Sequence, residues 1–240
     1  MTKLALALNV AQQNKALEWL DRIGNRVDCY KLQMDLFGRA GPGLVREFVR
    51  RGASVFLDLK FHDIPTVVAD AVSAAADMQV SLLTVHATGG TKMLEAAAEA
   101  SHKAGSGRPL VIAVTVLTSL DELELYRVFG FSGTVRERAL ALAQLAKASG
   151  CDGIVCSAQE LSSIKAECGR NFLAVCPGIR LAETRKQSVS GPPDDQARIG
   201  TAQQAVADGA DYIVVGRPIY RAKDPLATIA EIRKQMERTK

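Results

Sequence analysis

A chain of 240 residues, 48% hydrophobic and 23% charged, has the composition of an ordinary soluble globular protein able to bury a sizeable core. Its net charge of +4 is too small, and its basic residues too scattered, to argue for nucleic acid, although the sign suits an anionic small substrate. No run approaches the roughly 18 apolar residues of a membrane span, and five cysteines without a C-x-x-C pair fit a reduced, cytoplasmic setting.

The N-terminal stretch to Asn9 is too briefly apolar for a signal peptide, lacks a cleavage region, and reads as a buried first strand. Strands are expected at 4–9, 28–33, 54–60, 81–86, 110–117, 153–157, 172–176 and 212–216. Ala and Leu recur at helical spacing between them, predicting helices at 12–24, 42–51, 66–79, 91–104, 134–149, 159–168, 201–208 and 225–238. Gly52, Gly150, Gly169 and Gly209 follow helices as C-terminal caps would. Eight such units without a linker predict an α/β fold, a single (β/α)8 TIM barrel spanning 1–240. A doubly wound open sheet competes, but it usually has fewer strands, and no G-x-G-x-x-G opens the first helix. Two connections are long, 118–133 and 180–198. Both fall on the face where barrel active sites lie, so 180–198, rich in charge, Ser, Gly and Pro, is expected to be a lid.

The third strand runs into Asp58-Leu59-Lys60-Phe61-His62-Asp63-Ile64-Pro65. Alternation puts Asp58 and Lys60 on one face, with Asp63 beyond in a turn that Pro65 closes. Charges there cost desolvation and contribute little as a salt bridge, so a role in stability is a weak reading. The barrel assignment sends Asn9, Lys31, Asp58, Lys60, His86, Thr118, Arg180, Gly216 and Arg217 to one mouth. Gly216 allows close backbone approach and Arg217 offers a planar fork, so with Arg180 they suggest a phosphate site. The three histidines show no ligand spacing, and no metal is expected. His86 reads as a hydrogen-bonded structural residue and His102 as an exposed one.

These residues resemble the bacterial type of orotidine 5′-monophosphate decarboxylase over nearly the whole chain. The similarity lies in Phe56 to Pro65, Val114-Thr115-Val116-Leu117-Thr118-Ser119, Val155-Cys156-Ser157-Ala158-Gln159-Glu160, Pro177-Gly178-Ile179-Arg180 and Val215-Gly216-Arg217-Pro218-Ile219. D-x-K-x-x-D alone is shared with sugar-phosphate decarboxylases of related barrels; the combination is specific. The resemblance implies a catalytic tetrad of Lys31, Asp58, Lys60 and Asp63 in a homodimer whose second subunit supplies Asp63. It implies that Asp58 faces the carboxylate to be lost and that Lys60 protonates C6 of the pyrimidine. Asp58 and Asp63 would keep Lys60 charged and aimed, and no metal or organic cofactor is implied. It places Thr118 at the pyrimidine and Arg180, Gln196, Gly216 and Arg217 at the phosphate of a nucleotide monophosphate. Asn9, Ile64, Thr66 and Val67 complete the substrate-binding set.

Four positions depart from the family's usual pattern. Asn9 stands for an Asp and Val67 for a Thr, both at the ribose; Gln33 replaces a Gly and Thr84 an Asn. Weaker substrate binding with intact chemistry is the expectation. A paralogue acting on another phosphorylated compound and a silent nucleotide-binding barrel are the alternative readings.

Overall fold

The computed structural model describes residues 1–180, 198 and 200–237. Its strands are β1 (Lys3–Leu8), β2 (Cys29–Gln33), β3 (Val55–Phe61), β4 (Leu82–His86), β5 (Leu110–Val114), β6 (Gly153–Val155), β7 (Leu173–Cys176), β8 (Ile179–Arg180), β9 (Gly200–Thr201) and β10 (Tyr212–Val215). Eight of them close a barrel in the order β1-β10-β7-β6-β5-β4-β3-β2. Every pairing around it is parallel. The helices are α1 (Gln13–Ile23), α2 (Met34–Arg50), α3 (Pro65–Asp77), α4 (Thr91–Lys103), α5 (Glu122–Phe129), α6 (Val135–Ala148), α7 (Ala158–Cys168), α8 (Ala202–Ala207), α9 (Arg217–Tyr220) and α10 (Pro225–Glu237). This is the expected (β/α)8 architecture, with β8 and β9 pairing outside the barrel as an unexpected short ladder.

Alternation along the strands sorts the core. One set, including Leu4, Leu6, Leu32, Leu57 and Leu83, packs outward against the helices. Ala5, Ala7, Cys29, Phe56, Leu82, Ile112, Val175 and Val214 fill the barrel itself. The same parity carries Lys31 one step above Cys29, Asp58 above Phe56 and Thr84 above Leu82. The upper layer of the barrel interior is therefore polar.

The sequence-based boundaries need several corrections. The second helix begins at Met34, not 42, because Leu36 buries against the core. Its two halves meet at Gly41, whose φ of 65° breaks the helical path immediately before Pro42. The 118–133 connection contains α5, started by Asp121, whose side chain accepts the Glu124 N–H at 2.9 Å. Strands expected to reach 117 and 157 stop at Val114 and Val155. Gly52, Gly150, Gly169 and Gly209 do take positive φ at helix ends.

At the opposite mouth, three aspartates staple neighbouring strands. Asp28, Asp152 and Asp211 each precede a strand and accept the backbone N–H of Leu4, Val111 and Ala174 at 2.7, 2.8 and 2.8 Å. Each is also held by a cation, respectively Arg233, Arg108 and Lys165. No helix among the described residues is long and apolar enough to cross a membrane.

Candidate active site

At the C-terminal ends of β2 and β3, one carboxylate holds two ammonium groups. Asp58 Oδ2 accepts from Lys31 Nζ at 2.5 Å, and Oδ1 accepts from Lys60 Nζ at 2.8 Å. Thr84 on β4 donates a further bond to Oδ1 at 3.0 Å. Burial alone would raise the Asp58 carboxyl, but the two lysines more than offset it and bring it down to about 2. The carboxylate is therefore charged at any ordinary pH. Simple strand alternation does not bring Lys60 to it, contrary to expectation. The β3–β4 register shifts between Leu57 and Phe61, and Lys60 takes a φ of 52°.

Two cavities meet at this cluster. A small one of about 170 Å³ is lined by Asp58, Lys60 and Thr118, with Phe56, Cys156 and Val175 as its apolar wall. A wider one of about 460 Å³ is lined by Asn9, Gln33, Arg180, Gly216 and Arg217. Lys31, Pro177 and Val214 belong to both. Gly216 lies close to β1, where a Cβ would come within 3.3 Å of Ala7. The geometry suits a ligand with a flat, weakly polar end, a polar middle and an anionic end.

Not every residue expected at the site reaches it. Asp63, Ile64, Thr66 and Val67 are exposed, and none lines either cavity. Asp63 Oδ1 instead accepts the Ile64 N–H at 2.7 Å. Gln196 lies outside the described residues, as does the expected lid apart from Arg180 and Arg198. His86 is hydrogen-bonded as expected, its Nδ1 3.0 Å from the Thr88 hydroxyl, and its ring stacks on His62. Among the described residues, no group of three or more His, Cys, Asp or Glu could hold a metal ion.

Two functional contributors were not legible beforehand. Gln33 Oε1 accepts from Lys31 Nζ at 3.2 Å, so this departure touches the cluster itself. Arg198 is buried, pairs with Glu160 at 2.5 Å, and donates to the carbonyls of Val116 and Leu117 at 3.0 and 2.9 Å. These carbonyls immediately precede Thr118, so the pair supports one wall of the small cavity. The paired Arg and Glu lie 38 positions apart, at a distance no local pattern connects.

Comparison with known proteins agrees with the geometry. Residues 2–232 match the model of the orotidine 5′-phosphate decarboxylase / HUMPS family. The chain is 46% identical over 230 residues to orotidine 5′-phosphate decarboxylase of Legionella pneumophila (strain Paris), covering 96% of this chain and 97% of that protein. It is 45% identical over 235 residues to the protein of the same name from Pseudoalteromonas translucida, covering 98% and 97%. The crystal structure of orotidine 5′-phosphate decarboxylase from Lactobacillus acidophilus superimposes with a TM-score of 0.84 at 32% identity, covering 98% of this chain and 99% of that one. With motif, barrel and site geometry in agreement over almost its whole length, the chain belongs to the orotidine 5′-phosphate decarboxylase / HUMPS family.

Proposed function

We infer that the protein decarboxylates orotidine 5′-monophosphate to uridine 5′-monophosphate, a step of pyrimidine biosynthesis. The observation that carries this reading is the Lys31–Asp58–Lys60 cluster at the junction of a small, largely apolar cavity and an arginine-lined one. The pyrimidine enters the small cavity beside Thr118, and the phosphate meets Arg180, Gly216 and Arg217, with Gln196 assigned to it as well. The ribose bridges them past Lys31 and Asn9.

In this reading the substrate carboxylate faces Asp58, and two like charges in a desolvated pocket destabilise the bound reactant. The C6–carboxylate bond breaks, CO2 departs, and the electron pair remains on C6. The Lys60 ammonium stabilises that charge and transfers a proton to C6. Water later returns the proton to the amine. Phosphate contacts remote from C6 contribute binding energy that assists this step.

The reading includes a homodimer in which Asp63, Ile64, Thr66 and Val67 of one subunit complete the site of the other. Its support is that Ile64 and Val67, at the start of α3, are 63% and 47% exposed although apolar, and that neither lines the cavities of its own chain. A cytoplasmic setting is proposed on the five buried, free cysteines. The direct test follows loss of orotidine 5′-monophosphate by ultraviolet absorbance with substrate raised into the millimolar range. Saturable turnover is expected. Folded protein without turnover at any concentration would overturn the assignment.

A further inference from the structure

Leu57 lies opposite Leu83 and Phe61 opposite Val85, so three residues of β3 face a single residue of β4. The three are Asp58, Leu59 and Lys60; the one is Thr84. Extra residues in a strand lose their ladder partners and bend it. Lys60 also sits at a φ of 52°, a region uncommon for a residue with a side chain. Such a backbone persists only when its surroundings hold it.

Here the restraint converges on one atom. Thr84 Oγ1 accepts the Lys60 backbone N–H at 2.8 Å and contacts Asp58 Oδ1 at 3.0 Å. The side chain is wholly buried. The Lys60 N–H can only donate, so the single hydroxyl proton of Thr84 is committed to the carboxylate. We propose that Thr84 is a positioning residue whose hydroxyl pins the β3 bulge, aiming the Lys60 ammonium and fixing Asp58 for proton delivery to the substrate. Thr84 lines neither cavity, so it acts through these two neighbours and not on substrate. The proposal rests on the decarboxylase reading above.

Thr84→Val fills the same space and removes both bonds, while Thr84→Ser keeps them. Misplacement of a reacting group costs about 100-fold at the extreme, so kcat of the valine variant should fall about 10- to 100-fold while KM changes little. The serine variant should recover most of kcat. Circular dichroism and uridine 5′-monophosphate binding check that each variant is folded, and Thr84→Ala serves if valine does not fold. In an active wild type, an unchanged kcat without the hydroxyl overturns the proposal. So does a serine variant as impaired as the valine one. A folded wild type without turnover would instead strike the decarboxylase reading.

Discussion

The Lys60 ammonium lies 2.8 Å from Asp58 Oδ1 although the backbone joining the two residues is not regular strand. A left-handed φ at Lys60 makes the contact. Lys60 is thus aimed by tertiary structure at a buried carboxylate. Lys60→Ala should lower kcat by on the order of 10³-fold or more while leaving uridine 5′-monophosphate binding within reach of wild type. Steady-state kinetics paired with titration calorimetry checks this, and an unchanged kcat would remove Lys60 from the chemistry.

A site shared across a twofold axis has a consequence that a self-contained site lacks. Lys60→Ala and Asp63→Asn variants should each be nearly inactive alone. Mixed under conditions that exchange subunits, they form hybrids with one doubly damaged site and one intact site. Activity should return to about a quarter of wild type. Mixing without recovery, with subunit exchange shown by mass spectrometry, would contradict the shared arrangement.

Asn9 borders the wide cavity near Lys31 without a carboxylate. Asn9→Asp should restore a charge-assisted bond to the ribose and lower KM about tenfold, equivalent to about 1.4 kcal/mol, with little effect on kcat. An unchanged or raised KM would show that Asn9 is not the weak point in binding.

Burial, reinforced by His62 and Lys60, pushes His86 from 6.5 down to about 4. The unfolded chain takes up this proton near 6.5, while the folded protein resists until about 4. More protons are bound to the unfolded state in that window, so the contribution is lost as pH falls through it. Thermal melts of His86→Gln should lose less Tm than wild type between about pH 7 and pH 4.5. Parallel curves would exclude His86 as the source.

The aspartate staples serve the fold and not the chemistry. Asp152→Ala leaves the Val111 N–H without its acceptor and removes the carboxylate held by two Arg108 nitrogens. Urea unfolding should show a loss of about 2–3 kcal/mol, with kcat unchanged because the site lies at the other end of the barrel. A large fall in kcat at unaltered stability would refute that division.

Much of this was legible from the chain because it depends on local periodicity. Alternating apolar strands and amphipathic helices specified the barrel, and the barrel assignment alone sent Lys31, Asp58, Thr118, Arg180 and Arg217 to one mouth. The side-chain period of two put Asp58 and Lys60 on one face, an expectation that the irregular β3–β4 register replaces at Lys60. Helical residues 34–40 were missed because Gly38, Gly41, Pro42 and Gly43 weaken the pattern there, and burial of Leu36 overrides that weakness. What only the tertiary structure decided is the aim of the site. The bulge that presents Lys60, the Thr84 hydroxyl that holds it, and the Glu160–Arg198 pair behind Thr118 each join residues from 24 to 38 positions apart. Hydrogen bonds depend on angles and distances of a few tenths of an ångström, and closure of the barrel sets those, not the order of residues along one strand.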